Sequence, residues 1–441
     1  MLQTLFTIPK ELAGTPLVVW LAGIWGVLSL IAVARLAASL GWKRAVAESW
    51  TTLLISGIAI WILPQLMGPE GLPIRGYGVM MLVAIVSGVG LSAWRAQRIG
   101  FDPEIILSLA MWLVVSGIIG ARLFYVIEYW DTYRRESPAD MIKAVLNVTE
   151  GGLVVYGCML AGGAALVLFV YKYRLPGLVL SDLIVPGVVL GMAIGRLGCF
   201  LNGCCYGGMC DLPWAVRFPA GSPPFMEQAA KGELFLHGIR FQTPLEGPPI
   251  IGAVESNSAA AKQGLKMGDK VVSINDREVG TAREGNARLF EIYGDGSPIA
   301  VRIAGDTAVK AWQLAGAIER SNPVHPTQLY SAIDAALLCL FLLAYDPFRK
   351  REGELTALTL TLHPISRFLL EIIRVDESAV FGTSMSISQN ISIGVLIGAV
   401  ICWCVVLSRP KGLWRAEIAH PVNARGPAFG GKKTAVSNAE S

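Results

Sequence analysis

"GRLGCFLNGCCYGG", residues 195–208, decides how this chain is read. It closes an apolar run that begins near Ser181, yet it places Arg196 inside what is otherwise a membrane helix. Asn202 and the cysteines Cys199, Cys204 and Cys205 follow within two or three turns. A guanidinium at that depth is costly and marks a functional site, unless it snorkels to a headgroup or pairs inside the bundle. Gly195, Gly198 and Gly203 flank it; small residues allow close helix packing and also leave room for a ligand.

The surrounding composition fits a membrane setting. The 441 residues are 53% hydrophobic and 16% charged, where soluble domains carry about 25% charged residues. Mean hydropathy is +0.53. The formal charge of +4 is spread along the chain, so a nucleic-acid partner is not expected. The opening "MLQTLFTIPK" has no basic region ahead of its apolar stretch, and a cleaved signal peptide is not expected.

Nine apolar stretches approach spanning length, about 20 residues: 16–38, 50–67, 77–95, 105–128, 153–172, 181–203, 328–346, 355–373 and 389–408. The second is the weakest, being short and holding Pro64. Basic residues follow every odd-numbered stretch: Lys43 and Arg44, Arg95 and Arg98, Lys172 and Arg174, Arg349 to Arg351, then Arg409, Lys411 and Arg415. The 129–150 loop, with Arg134, Arg135 and Lys143, dissents. The majority puts the N-terminus outside and the C-terminus in the cytoplasm. Residues 204–327 then lie outside, and within them about 236–313 reads as a small soluble unit. "PPIIGAVE", "DKVVSIND" and "PIAVRIAG" are strand-like, whereas "SAAAKQGL" and "AREGNARLFEIYG" are helix-like. From 411 onward the basic, Gly-, Pro- and Ser-containing tail is expected to be disordered.

Polar groups from six stretches gather toward the leaflet of Arg196. Arg75 and Tyr77 open the third, Arg122 and Glu128 lie in the fourth, Tyr156 opens the fifth, and His325 and Gln328 open the seventh. Arg367, Glu371 and Arg374 share one face of the eighth by their spacing. Arginine is the repeated element, and its rigid fork of donors matches phosphate. For Arg122, Glu371 and Arg374 a helix–helix salt bridge is an equal alternative. For Arg196 and Arg367 the sequence favours an anionic ligand.

The pieces "IRGYGVM" (74–80), "GARLFYV" (120–126), "EGGLVVYGCMLAG" (150–162), "GRLGCFLNG" (195–203), "HPTQLY" (325–330) and "RFLLEIIR" (367–374) resemble the prolipoprotein diacylglyceryl transferase family. The resemblance implies an all-α polytopic bundle. Residues 71–210 and 322–410 would form the family's seven-helix core, residues 1–70 would add two N-terminal helices, and residues 211–321 would form an insert. It also implies the reaction: a diacylglyceryl group moves from phosphatidylglycerol to the thiol of the lipobox cysteine in a prolipoprotein signal peptide, releasing glycerol 1-phosphate at the bacterial inner membrane. Arg196 takes the place of the family's phosphatidylglycerol-binding arginine. The expected catalytic residues are Arg196, Arg367, Tyr156 and His325. Tyr77, Asn202, Gln328 and Glu371 join the two arginines in binding lipid. No cofactor and no metal are expected.

The chain departs from the common pattern at three places, with Tyr156 where many members have histidine, and Cys199 and Cys204 in the signature. An inactive homologue, or a protein that binds or transports lipid, therefore stays open, while a protease reading is weakened by the absence of an H-E-x-x-H motif. The cysteine spacing C-x4-C-C-x4-C leaves three readings: packing residues, a Cys204–Cys210 disulfide, and a metal site, which the usual C-x2–4-C pairing disfavours. "GAVESNSAAAKQGLKMGDKVVSINDREV" (252–279) resembles a PDZ domain, which implies a small α+β fold that binds an extended peptide along a sheet edge.

Overall fold

The computed structural model describes residues 4–413, apart from 13, 63–70, 134–136, 138–140, 142–143, 146–151, 153, 296, 307, 314–319 and 375–384. The expected tail lies almost wholly outside the described residues. In chain order the principal helices are α1 (Leu17–Leu40), α2 (Trp42–Ile62), α3 (Gly76–Arg98), α4 (Pro103–Glu128), α5 (Val155–Tyr173), α6 (Gly177–Asn202), α7 (Pro223–Ala230), α8 (Ala282–Asp295), α9 (Thr327–Tyr345), α10 (Glu354–Glu371) and α11 (Ile387–Ser408). Over their described residues, each of the nine apolar stretches falls on a helix. Six of these, α1, α3, α4, α6, α9 and α11, are long and apolar enough to cross a membrane, so the protein is a polytopic helical membrane protein. The outward faces of α3, α4, α5 and α9 carry Leu82, Val86, Ile127, Leu160, Val167 and Leu337, all exposed, as lipid rather than water would require. The second helix starts well before residue 50, because "WKRAVAES" is polar but rich in good helix formers.

Bare backbone contact fixes two helix pairs. A Cβ on Gly88 would come within 2.7 Å of the Gly187 carbonyl oxygen, joining α3 to α6, and one on Gly120 would run into the Gly157 carbonyl oxygen, joining α4 to α5. Such small-residue crossings drive helix association in lipid. A proline near the start of α6 adds a polar lock. Pro186 has no N–H to give the carbonyl of Asp182, one turn earlier. The Arg95 guanidinium from α3 takes over, donating to the Asp182 carbonyl at 2.6 Å and to that of Leu183 at 2.8 Å.

Between α6 and α9 the chain builds a water-facing unit with its own core. Val271–Ile274 pairs with Arg277–Glu278 on one side and Ile299–Ile303 on the other, and Lys310–Trp312 adds to Ile299–Ile303. Ile239–Phe241 and Ile251–Val254 form a second antiparallel pair. All three strand-like stretches and both helix-like ones read from the sequence carry the expected element, although "SAAAKQGL" yields only the single turn Ala259–Lys262. The core extends further back than residue 236. Phe225 and Ala229 of α7 pack into it with Leu234, Leu289 and Trp312.

This unit leaves the bundle on a paired stem. Met209 and Val216 both bridge to Val324, and Pro219 bridges to Arg320. Ser321 donates its N–H to the Phe218 carbonyl at 2.7 Å, and its hydroxyl accepts from the Phe218 N–H at 2.9 Å.

Candidate functional site

The site is built where α6, α9 and α10 meet. Met192 and Arg196 from α6, Ser331, Asp334 and Ala335 from α9, and His363, Arg367 and Leu370 from α10 line one cleft. The spacing of each set by three or four residues gives one face per helix. Arg196 and Arg367, the two arginines assigned to an anion from the sequence, therefore lie together. They differ in how they are held. Arg367 pairs with Glu371 at 2.6 Å, one turn on, and donates to the Ser388 hydroxyl at 2.9 Å. Arg374 also faces Glu371, at 3.6 Å. Among the described residues Arg196 makes no hydrogen bond or ion pair. The cleft's free volume is about 10 Å³, the room of roughly one water, so a phosphodiester needs its lining side chains to swing aside.

Sequence reasoning missed Ser331, Asp334 and His363. Asp334 accepts from the Ser366 hydroxyl at 2.7 Å. Asp334 and His363 are polar residues within helices, the same signal that singled out Arg196. His325 does not line this cleft. Its ring lies 3.4 Å from the Tyr330 hydroxyl, and its backbone pairs with the 207–208 loop: its carbonyl accepts from Gly207 at 2.9 Å and its N–H donates to Gly208 at 3.0 Å.

Alongside the cleft lies the loop of the opening motif. Helix α6 ends at Gly203, whose φ of 83° turns the chain back, a conformation glycine adopts without strain. The turn brings the sulfurs of Cys199, Cys204 and Cys205 within 4.8 Å of one another. Cys204 thus faces Cys199 rather than Cys210, and all eight cysteines are free thiols. The disulfide alternative is therefore absent from the structure. Gln328 donates to the Cys204 carbonyl at 2.7 Å and Thr327 to the Cys205 carbonyl at 2.7 Å. The Asn202 side chain is hydrogen-bonded to the Cys204 thiol. Hydrogen bonds from the Cys199 and Cys204 thiols, followed by the charges of Arg374 and Arg196, push the Cys205 thiol below its ordinary range despite burial. Tyr77 packs across Gly198 and lies within the electrostatic reach of the three cysteines and Arg196. Tyr156 sits in the first turn of α5, and its side chain lies outside the described residues.

Arg122 plays a different part. Its guanidinium donates to the carbonyls of Ala144, Val145 and Gly152 at 2.9, 2.8 and 3.0 Å. It clamps the loop after α4 through these backbone carbonyls.

The arrangement offers a guanidinium without a hydrogen-bonded or ion-pair partner among the described residues beside a carboxylate-held one, a carboxylate and an imidazole lining the same cleft, and a group of thiols at the same helix end. It can bind a phosphate and stabilise charge developing on it.

A family model described as prolipoprotein diacylglyceryl transferase matches residues 64–405. A protein of Rhodopirellula baltica named phosphatidylglycerol--prolipoprotein diacylglyceryl transferase is 32% identical, with 91% of this chain and 88% of that protein aligned. One of the same name from Mycobacteroides abscessus is 26% identical over 84% of this chain and 82% of its own length. A third, from Synechococcus elongatus, is 39% identical over a shorter region, 36% of this chain and 54% of that protein. The chain belongs to the prolipoprotein diacylglyceryl transferase family.

Proposed function

We infer that this family member transfers the diacylglyceryl group of phosphatidylglycerol to the lipobox cysteine of prolipoproteins, with glycerol 1-phosphate as the other product. The observation that carries the reading is Arg196: a guanidinium inside a membrane helix, without a protein partner among the described residues, beside Arg367 in the same cleft. The reaction needs such a pair. A thiolate attacks an sp3 glyceryl carbon, the carbon–oxygen bond breaks, and the electron pair leaves on a phosphate oxygen. Donors already in place for that growing charge lower the barrier. In this reading Arg196 is the fork that grips the phosphate, and Arg367, oriented by Glu371 and Ser388, supports the leaving oxygen. Tyr77, Asn202 and Gln328 shape the lipid side of the pocket, and Tyr156 and His325 flank the incoming peptide.

The finer organisation follows the same reading. Residues 71–210 and 322–410 form a seven-helix core, preceded by two helices within 1–70. The water-facing unit is a PDZ-like module on the outer side of a bacterial inner membrane, where it presents prolipoprotein to the cleft, and the tail is cytoplasmic. Bridging the stem by replacing residues 222–320 with a short Gly/Ser linker leaves the bundle intact, because closure entropy grows slowly with loop length. It raises KM for a full-length prolipoprotein and leaves transfer to a short lipobox peptide in place. Loss of both transfers in a folded protein overturns the module reading.

The deciding experiment incubates membranes holding the protein with phosphatidylglycerol and a lipobox peptide. The expected product is a thioether-linked diacylglyceryl peptide. Absence of that product, with lipid still bound, establishes the inactive-homologue alternative instead.

A further inference from the structure

We propose that Cys199, Cys204 and Cys205 hold a zinc ion on three thiolates, and that its fourth position takes the thiolate of the incoming lipobox cysteine. The inference rests on the transfer reaction above and gives it a means of removing the thiol proton where Tyr156 replaces histidine.

Geometry carries the assignment. Zinc bound to thiolates at about 2.3 Å in a tetrahedron sets its sulfurs about 3.8 Å apart. The three sulfurs here already lie within 4.8 Å of one another, so rotation about the side-chain bonds closes the difference. The sequence spacing hides this. Four residues separate Cys199 from Cys204, but the left-handed turn at Gly203 folds the chain back onto the last turn of α6. Cys205 is itself left-handed, with φ of 59°, a conformation uncommon outside glycine.

The loop is held from outside, as ligand loops are. Gln328, fully buried, grips the Cys204 carbonyl, and Thr327 grips that of Cys205. Partners of this kind fix ligand orientation and are worth a large part of metal affinity. Three thiolates on a divalent ion leave one net negative charge, and Arg374 and Arg196 both face the group electrostatically.

Three protein ligands are the pattern of a zinc that works on a substrate, whereas a structural zinc is closed by four. Cys210, the remaining cysteine of the motif, lies outside the group, and its backbone N–H is committed to the Pro323 carbonyl in the stem at 3.1 Å. Cys199 lies three residues, about one helical turn, from Arg196 along α6. A thiol bound at the open position loses its proton to water as it coordinates. Its sulfur lone pair then attacks the glyceryl carbon, the new bond is sulfur–carbon, and the electron pair of the broken carbon–oxygen bond leaves on the phosphate that Arg196 holds. The thioether product is neutral and a poor ligand, and dissociates.

The test uses full-length protein purified in detergent micelles under reducing conditions. Metal analysis is expected to give one zinc per chain, retained after dialysis. Replacing zinc by cobalt(II) is expected to produce a sulfur-to-cobalt charge-transfer band and tetrahedral ligand-field bands. Adding a lipobox peptide shifts those bands, whereas the same peptide with serine for cysteine does not. Cys204→Ser removes the cobalt spectrum, and Gln328→Leu weakens cobalt binding by about 10- to 100-fold. Metal-free protein with full transfer activity overturns the proposal, and so does a disulfide among the three cysteines in the active enzyme. A cobalt spectrum indifferent to the peptide thiol overturns the open fourth position. Cobalt binding is read without any transfer, so a protein that binds cobalt at these thiols but yields no thioether refutes the transfer reading and leaves the metal site standing.

Discussion

Helix α6 carries an ionic group near each end, Asp182 buried and Arg196 half-buried, and the two are built in opposite ways. Asp182 is only 1% exposed. Its oxygens accept from Gly353 N–H at 2.7 Å, from Thr356 N–H at 2.9 Å and hydroxyl at 2.8 Å, and from Arg349 at 3.2 Å. Arg95, which patches the carbonyls freed by Pro186, pairs with Asp346 at 2.9 Å. Every strong acceptor at this end is answered. About 21 Å along the same helix, Arg196 makes no hydrogen bond or ion pair among the described residues. A charge that the protein satisfies holds the bundle together, whereas a charge that it leaves open is held for something else.

That contrast predicts where substitutions hurt. Asp182→Ala strands the Gly353 and Thr356 amides, while Arg349 keeps Asp346 and Glu352, and each buried donor left unanswered costs about 1–3 kcal/mol. The expected result is a large drop in melting temperature in micelles, with transfer per folded molecule nearly unchanged. A stable variant with lost transfer would erase the distinction between the two ends. Arg196→Ala should do the reverse: transfer falls about 100-fold or more, while stability moves by no more than about 0.5 kcal/mol. Arg196→Lys recovers little, since a point charge lacks the fork. If the alanine variant instead unfolds the bundle, Arg196 is structural after all.

A finer division runs within the cleft. Arg367→Ala removes a donor to phosphate, whereas Glu371→Gln only loosens the arginine's orientation. Side-by-side rate measurements should show the larger loss for Arg367, and the opposite order would mean that Glu371 itself touches substrate.

The smallest effect belongs to the water-facing unit. His237 is 1% exposed, and burial pushes its pKa down, partly offset by the nearby Leu289 backbone. Its folded pKa lies below the unfolded value of about 6.5, so the unfolded chain binds the proton more readily. Stability is therefore full above that value and declines as pH falls below it, by at most about 1.4 kcal/mol per pH unit. Unfolding of this unit followed across pH 7 to 5 should show the decline, and His237→Phe should flatten it.

Much of this was legible in the sequence because lipid leaves few options. A backbone in hydrocarbon must be helical, so nine apolar stretches became helices, and charges inside them stood out. Arg196, Arg367 and Glu371 were found that way. Asp334 and His363 carried the same signal but fell outside the quoted family motifs. The Asp182 knot went unnoticed because its partners lie about 170 residues away and emerge only when α6 meets the 349–356 turn. The thiol group was hidden for a local reason, since a single left-handed glycine changes which sulfurs are neighbours without changing their spacing in the chain. The early boundary of the water-facing core was missed because Phe225 and Ala229 sit in a proline-started helix of only two turns.

The stem has a mechanical consequence. The chain leaves the bundle and returns to it side by side, cross-bridged from Met209–Val324 to Pro219–Arg320. The water-facing unit is therefore moored at one point rather than slung between two. A pull on it is delivered as shear along that ribbon, and the ribbon's root is Gly207 against His325, two residues from Cys205 and Thr327. A force on the water-facing unit therefore reaches the thiol loop before it reaches the transmembrane helices.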